Sequence, residues 1–230
     1  MPFECSNITY KYPGTANHVF KSLSFRFSEP GFNALFGPSG IGKTSLAKII
    51  IGEIDGFSGE VKTHGMNTLF YTYNLERLPG WSSVGKHLDK ISPPGRKEIK
   101  DEMVEAFGVA QCLESRFSQL SLGQQNRINL IRYLVQDFNL MIMDESLANV
   151  DERTRETIIF KMKDMFPEAY FFYISHNVVE VAKFCKDIVV FRNAYKDPQI
   201  VPVKGQDLLN GQDLHKNSLE LTMLEIMNAS

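Results

Sequence analysis

Gly37-Pro38-Ser39-Gly40-Ile41-Gly42-Lys43-Thr44 follows the pattern G-x-x-x-x-G-K-[ST], a spacing suited to holding phosphate. Glycines let successive backbone N–H groups converge on phosphate oxygens, and the positive end of a following helix adds to the attraction. Lys43 can then reach the β- and γ-phosphates of a nucleoside triphosphate. The Thr44 hydroxyl is placed for Mg²⁺, and Ser45 completes the candidate phosphate set. Further along, the apolar run Leu140–Met143 ends in Asp144-Glu145. Asp144 suits a Mg²⁺ held through water, and Glu145 suits a general base acting on an attacking water. Taken alone, that pair reads equally well as surface charge at a strand end. Two more segments bear on the choice: Leu120-Ser121-Leu122-Gly123-Gln124-Gln125-Asn126-Arg127, and Ser175-His176-Asn177.

These residues need elements to position them. A buried strand at Phe32–Phe36 precedes the glycine loop, and a helix at Thr44–Ile51, stopped by Gly52, follows it. Leu23, Phe25 and Phe27 alternate with polar residues, as in a half-buried strand. Thr68–Tyr73, Leu140–Met143, Tyr170–Ile174 and Ile188–Phe191 read as more fully buried strands. An amphipathic helix follows Arg127. Ile158, Ile159, Met162 and Phe166 mark a face of another helix, ended by Pro167. Strands alternating with helices predict an α/β fold with a mainly parallel core sheet. From Glu76 to Arg116 the rhythm changes to a helical insertion, with a turn at Pro93–Gly95 and a helix over Ile99–Phe107. Asn217 with Glu220 reads as a capping box for a last helix, whose Leu219, Met223 and Met227 pack into the core.

Composition narrows the function classes. The 230 residues carry 25 Lys+Arg against 27 Asp+Glu, a near-neutral balance with no basic field for nucleic acid. No apolar run approaches the roughly 18–20 residues of a membrane span, and the N-terminus lacks the pattern of a signal peptide. Cys5, Cys112 and Cys185 are far apart without a CxxC pair, which disfavours a disulfide framework and a cysteine metal site. The four histidines other than His176 form no ligand-spaced cluster. A cytosolic, water-soluble protein is expected.

In order and spacing, these motifs resemble the nucleotide-binding subunits of ABC transporters, and the likeness runs over nearly the whole chain. The resemblance implies a P-loop ATPase fold with a mainly parallel core sheet, an antiparallel β subdomain and a helical insertion. It implies one ATPase domain over 1–230, with 1–75 and 117–230 as nucleotide-binding core and 76–116 as helical subdomain. Tyr12 looks like the residue that stacks on adenine, although Tyr10 or Phe20 could serve. Leu120–Gln124 looks like the signature, Ala148–Asp151 like the D-loop and His176 like the switch histidine.

By the same resemblance, ATP and Mg²⁺ are the ligands, and two chains pack head to tail around two ATP. Ser121, Gly123 and Gln124 would meet the γ-phosphate of ATP held by the opposite subunit. His176 would hold the γ-phosphate and the attacking water, and Asp151 would lie at the dimer interface. The partners implied are a second copy or a paralogous ATPase, an integral-membrane permease, and a solute-binding protein acting through it. The chain would then sit on the inner face of the cell membrane.

Departures from the family pattern concentrate in one loop. The glutamine that follows the strand before the helical insertion is missing; Tyr73 or Asn74 stands in its place. Tyr is too bulky to replace Gln, and Asn is shorter by one methylene. Leu122 replaces the first signature Gly, and Ser146 replaces a Pro, relaxing a restraint on φ at the D-loop. Leu78-Pro79-x-Trp81-x-x-Val84 looks like the ATPases of nitrate, sulfonate or taurine importers, with Gly80 as an extra residue. An importer ATPase is the first expectation. A soluble ABC ATPase in an assembly complex and a nucleotide-binding regulator with impaired hydrolysis are the alternatives.

Overall fold

The computed structural model describes residues 2–78, 82–193 and 195–230, so Pro79, Gly80 and Trp81 of the importer-like segment lie outside the described residues. The strands in chain order are β1 (Phe3–Tyr10), β2 (Phe20–Phe27), β3 (Gly31–Phe36), β4 (Phe57–Lys62), β5 (Leu69–Tyr73), β6 (Leu140–Asp144), β7 (Tyr170–Ile174), β8 (Asp187–Phe191) and β9 (Ile200–Lys204). The α-helices are α1 (Lys43–Ile50), α2 (Val84–Ile91), α3 (Lys97–Ala106), α4 (Leu122–Leu134), α5 (Glu152–Met165), α6 (Val178–Phe184) and α7 (Lys216–Ala229). The chain divides into two compact units. The first is Met1–Tyr71, Asn139–Ile142 and Pro167–Ser230; the second is Thr72–Phe138 and Met143–Phe166.

The first unit is built on two sheets. A six-stranded, mainly parallel sheet has the order β5-β6-β7-β3-β8-β9, and an antiparallel three-stranded sheet has the order β2-β1-β4. In the larger sheet β3 runs parallel to both β7 and β8, while β9 pairs antiparallel with β8. Phe172 of β7 contacts Phe3 and Phe27 of the smaller sheet, with ring centroids 4.7 and 4.9 Å apart. All three rings are fully buried. Truncating such a residue to Ala typically costs about 3–5 kcal/mol. The glycine loop and α1 hang from the end of β3, a central strand buried from Phe32 to Leu35.

β1 escapes a period-two reading of the sequence for a physical reason. Asn7 takes φ 55, and the register with β2 shifts between Cys5 and Ile8. The bulge inserts a residue, so the buried positions Phe3, Cys5, Ile8 and Tyr10 do not alternate strictly.

The second unit is helical apart from the strand ends that enter it. Leu88 of α2, Met103 and Val104 of α3, Ile128 and Ile131 of α4, and Ile158, Ile159 and Met162 of α5 are all buried. Within the described residues 82–116 lie α2, α3 and a short 3-10 turn at Ala110–Cys112. The helix expected over Ile99–Phe107 runs instead over Lys97–Ala106, with Phe107 as its C-cap.

At the C-terminus the expected cap is corrected. Helix α7 begins at Lys216 after His215, with no side-chain cap, so Asn217 lies inside it. Its buried residues are Thr222 and Ile226, while Met227 is 62% exposed. Gln206 Nε2 donates to Thr222 Oγ1 at 2.6 Å, which gives this polar residue a partner in its buried place. Among the described residues, no helix is long and apolar enough to cross a membrane.

Candidate functional site

The phosphate-loop residues sit between β3 and α1. Gly42 is the N-cap of α1 with φ 107, in the left-handed region. A Cβ there would lie 2.5 Å from Val19 Cγ1 and 2.8 Å from the Phe20 ring, so a larger residue would force those two side chains to move. No side chain caps α1, and its first turn holds no acidic residue, so no carboxylate there offsets the positive helix end. The Lys43 side chain folds back over the loop. Its Nζ donates to Gly37 O at 2.7 Å and Pro38 O at 2.8 Å, and the residue is only 5% exposed. Pro38, Ser39, Gly40 and Thr44 are exposed and Ile41 is half-buried, so the loop presents backbone to solvent around a buried ammonium. A glycine cradle, a helix start and one held cation fit a polyphosphate.

Tyr12, 47% exposed, lies in the loop after β1. Its hydroxyl shares a 2.5 Å hydrogen bond with Ser45 Oγ in the first turn of α1, and its ring meets Tyr10 edge-on at 5.3 Å. Tyr10 and Phe20, the other aromatic candidates, are 5% and 0% exposed. Of the three, Tyr12 alone has a face open to a planar ligand.

His176 follows β7 and is exposed. The residues around it are fixed by Glu180, which the sequence did not single out. Its buried carboxylate accepts bonds from Tyr173 Oη at 2.8 Å, Ser175 Oγ at 3.2 Å and Asn177 Nδ2 at 2.9 Å. Asn177 also caps α6 by accepting from the Val179 and Glu180 N–H groups. The histidine therefore stands on a turn bonded on both sides.

The second unit carries Asp144-Glu145 and the segments expected as signature, Leu120–Gln124, and D-loop, Ala148–Asp151. Asp144 ends β6, and Glu145 follows with φ 54; both are half-buried. A positive φ on a non-glycine residue is costly and marks a turn held by its surroundings. Ser146, in place of the Pro, is buried, and its hydroxyl donates to Thr72 O at 2.9 Å. Asp151 caps α5, accepting from Thr154 N at 3.0 Å. Hydrogen bonds from Thr154 hold its carboxyl below the ordinary aspartate range.

Ser121 caps α4 in a reciprocal box: Oγ accepts from Gln124 N at 3.3 Å, and Gln124 Oε1 accepts from Ser121 N at 2.9 Å. Gln124 thus braces the turn from within, while the Ser121 hydroxyl keeps a proton to donate. Gly123 is buried, and a Cβ on it would stand 2.3 Å from Asn149 O. Leu122 is 47% exposed at the same helix start, where a side chain meets no such barrier. Of the two candidates for the missing glutamine, Tyr73 is 46% exposed, whereas Asn74 directs its amide oxygen to Asn126 Nδ2 at 2.9 Å.

The sequence profile of ABC transporters matches residues 20–148, from β2 through the acidic pair to Ala148. The chain belongs to the ABC transporter family. Within that family it is 31% identical over 184 residues to the molybdenum import ATP-binding protein ModC of Brucella suis biovar 1, covering 71% of this chain and 51% of that one. It is 30% identical over 193 residues to the zinc transport system ATP-binding protein TroB of Treponema pallidum, covering 76% and 73%. The spermidine/putrescine import ATP-binding protein PotA of Fusobacterium nucleatum is 26% identical over 211 residues, covering 84% and 55%.

This ABC chain spans about half the length of the ModC relatives it matches. The three relatives are named for molybdenum, zinc and polyamines, so the narrower likeness to nitrate, sulfonate or taurine ATPases is not what these relatives carry. The fold matches a bacterial Atm1-family ABC exporter with ATP bound, at a TM-score of 0.74 and 19% identity over 99% of this chain and 41% of that one. A metal-chelate type ABC transporter in an inward-facing conformation gives 0.70 and 14%, over 96% and 88%.

Proposed function

We propose that this chain binds and hydrolyses ATP as the energising subunit of an import system, pairing head to tail with a second copy. The observation that carries the reading is the buried Lys43 ammonium, folded over the Gly37 and Pro38 carbonyls at the start of an α1 that lacks a cap and an acidic first turn. In this reading Lys43 and the backbone from Gly37 to Thr44, with Ser45, hold the phosphates. The exposed face of Tyr12 takes the base. Thr44 and Asp144 hold Mg²⁺, which when bound neutralises charge on the β- and γ-phosphates.

Glu145 accepts a proton from the attacking water as its oxygen bonds to the γ-phosphorus and the bond to the β–γ bridging oxygen breaks, releasing ADP and phosphate. His176 steadies the γ-phosphate. Ser121 and Gly123, with Gln124 bracing their turn, complete the site of the opposite subunit, and Asp151 lies at that contact. Closure around ATP and reopening after hydrolysis would drive a separate permease, served by a solute-binding protein, at the inner face of the membrane. The import ATP-binding relatives support this role.

The test is steady-state phosphate release by the purified chain. Turnover in the parent, lost by at least a hundredfold in Glu145→Gln with ATP affinity retained, is the expected result. Tight ATP binding without turnover in the parent would move the chain to the regulatory reading. Co-purification of a polytopic membrane protein from gently solubilised membranes tests the permease.

A further inference from the structure

Asn126, 3% exposed near the start of α4, joins three segments through one side-chain amide. Its Nδ2 donates to Asn74 Oδ1 at 2.9 Å and to Ala148 O at 2.6 Å. The first partner follows β5, and the second lies in the D-loop. Asn149 Nδ2 also reaches the Asn74 oxygen at 3.5 Å, and Asn74 N donates to Asp144 O at 3.1 Å.

The rest of the D-loop is held as closely. Ser146 bonds to Thr72, Arg155 donates to Val150 O at 2.5 Å, and Asp151 caps α5. Gly123 supplies a steric contact: its missing Cβ leaves room for Asn149 O against the signature turn. Asn149 itself takes φ 63. The D-loop and the head of α4 are therefore tied by hydrogen bonds and by close backbone contact.

Resting on the ATPase reading above, we propose that Asn126 is a positioning residue that locks the D-loop to the head of the signature helix, with Asn74 as its acceptor. Ser121 and Asp151 then approach the opposite subunit as one preformed surface. Preformed surfaces lower the ordering cost of association, so the lock favours ATP-driven pairing. The Asn74 oxygen is already engaged by Asn126. Asn74 accordingly acts by anchoring Asn126, and Mg²⁺ is held by other groups.

The test uses the full chain carrying Glu145→Gln, so that ATP-bound pairs accumulate, with light scattering across a titration of ATP and Mg²⁺. A fluorescent ATP analogue measures nucleotide affinity of the unpaired chain. Asn126→Leu should weaken ATP-driven pairing at least tenfold while shifting nucleotide affinity by less than twofold. Asn126→Asp sets a carboxylate against two acceptors, whereas Asn74→Asp keeps an acceptor for Asn126. The first should pair at least fivefold more weakly than the second, an asymmetry that loss of packing alone would not give, since the two changes are equal in size.

Circular dichroism checks folding, and if Asn126→Leu does not fold, the two Asp variants carry the comparison. Asn126 variants that pair as well as the parent overturn the proposal, as does a raised Mg²⁺ requirement in Asn74→Ala. A parent that neither binds ATP nor pairs overturns the ATPase reading and this proposal with it. A pairing parent with indifferent variants overturns the proposal alone.

Discussion

The hydroxyls of Tyr12 and Ser45 share a hydrogen bond of 2.5 Å, which ties the loop after β1 to the first turn of α1. The bond fixes an exposed aromatic ring beside the start of the phosphate helix. Aromatic stacking on a base contributes about 1–3 kcal/mol. Tyr12→Ala should therefore weaken ATP binding between fivefold and a hundredfold or so. Tyr12→Phe keeps the ring and loses a hydrogen bond, for which about 1 kcal/mol is typical, so its loss should be smaller. Titration with a fluorescent ATP analogue measures both; equal affinity in Tyr12→Ala and the parent would move the base elsewhere.

Gly123 makes a sharper prediction about the signature turn. Its Cβ would meet backbone, Asn149 O at 2.3 Å, which cannot swing aside as a side-chain tip can. Gly123→Ala should destabilise by about 1–3 kcal/mol, as overpacked sites do, and displace the D-loop. Leu122→Ala, at an exposed position one residue earlier, should change the denaturation midpoint far less. Urea denaturation of the two variants compares them directly.

Asp151 gives stability a pH dependence of known sign. Its folded-state pKa is lowered from an ordinary 3.8 by bonds from Thr154. Its contribution is therefore fully present above the ordinary value and is lost as pH falls through the lower folded value. Asp151→Asn keeps an acceptor for Thr154 N but cannot titrate. The parent should lose more stability than Asp151→Asn between about pH 5 and pH 2, measured by urea midpoints. Parallel pH profiles would show that this cap does not titrate with folding.

The cysteines should be inert in the folded chain. Cys5 and Cys112 are buried, and burial pushes both thiols above their ordinary range, so little thiolate is present at pH 8. Alkylation followed by mass spectrometry should find both unmodified until urea is added. Rapid native labelling of Cys5 would contradict the buried bulge of β1.

The phosphate loop, the acidic pair and the central strands were legible because each is a local pattern: glycines at fixed spacing, or an apolar run ending in charge. Three features were not legible, each for want of a local signal. The strand β1 hides its period behind the Asn7 bulge. Glu180 is an ordinary helix residue in sequence, and only the fold brings Tyr173, Ser175 and Asn177 onto its carboxylate. Asn126 meets Asn74 across fifty-two positions, and no periodicity reports such a pair. The departure at Tyr73 and Asn74 is local and visible in the sequence, but the bond that Asn74 Oδ1 accepts from Asn126 Nδ2 is not.

The central claim is that each ATP is shared by two chains. It is tested most directly by ATP occlusion in two variants, both also carrying Glu145→Gln, one with Lys43→Ala and the other with Ser121→Arg. Neither variant alone should trap nucleotide, because each pair would lack either both phosphate loops or both signatures. Mixed, they form a pair in which one site is intact, and the expected result is one ATP trapped per pair. If the Ser121→Arg chain alone traps ATP as well as the Glu145→Gln parent does, the site lies within a single chain and the account is contradicted.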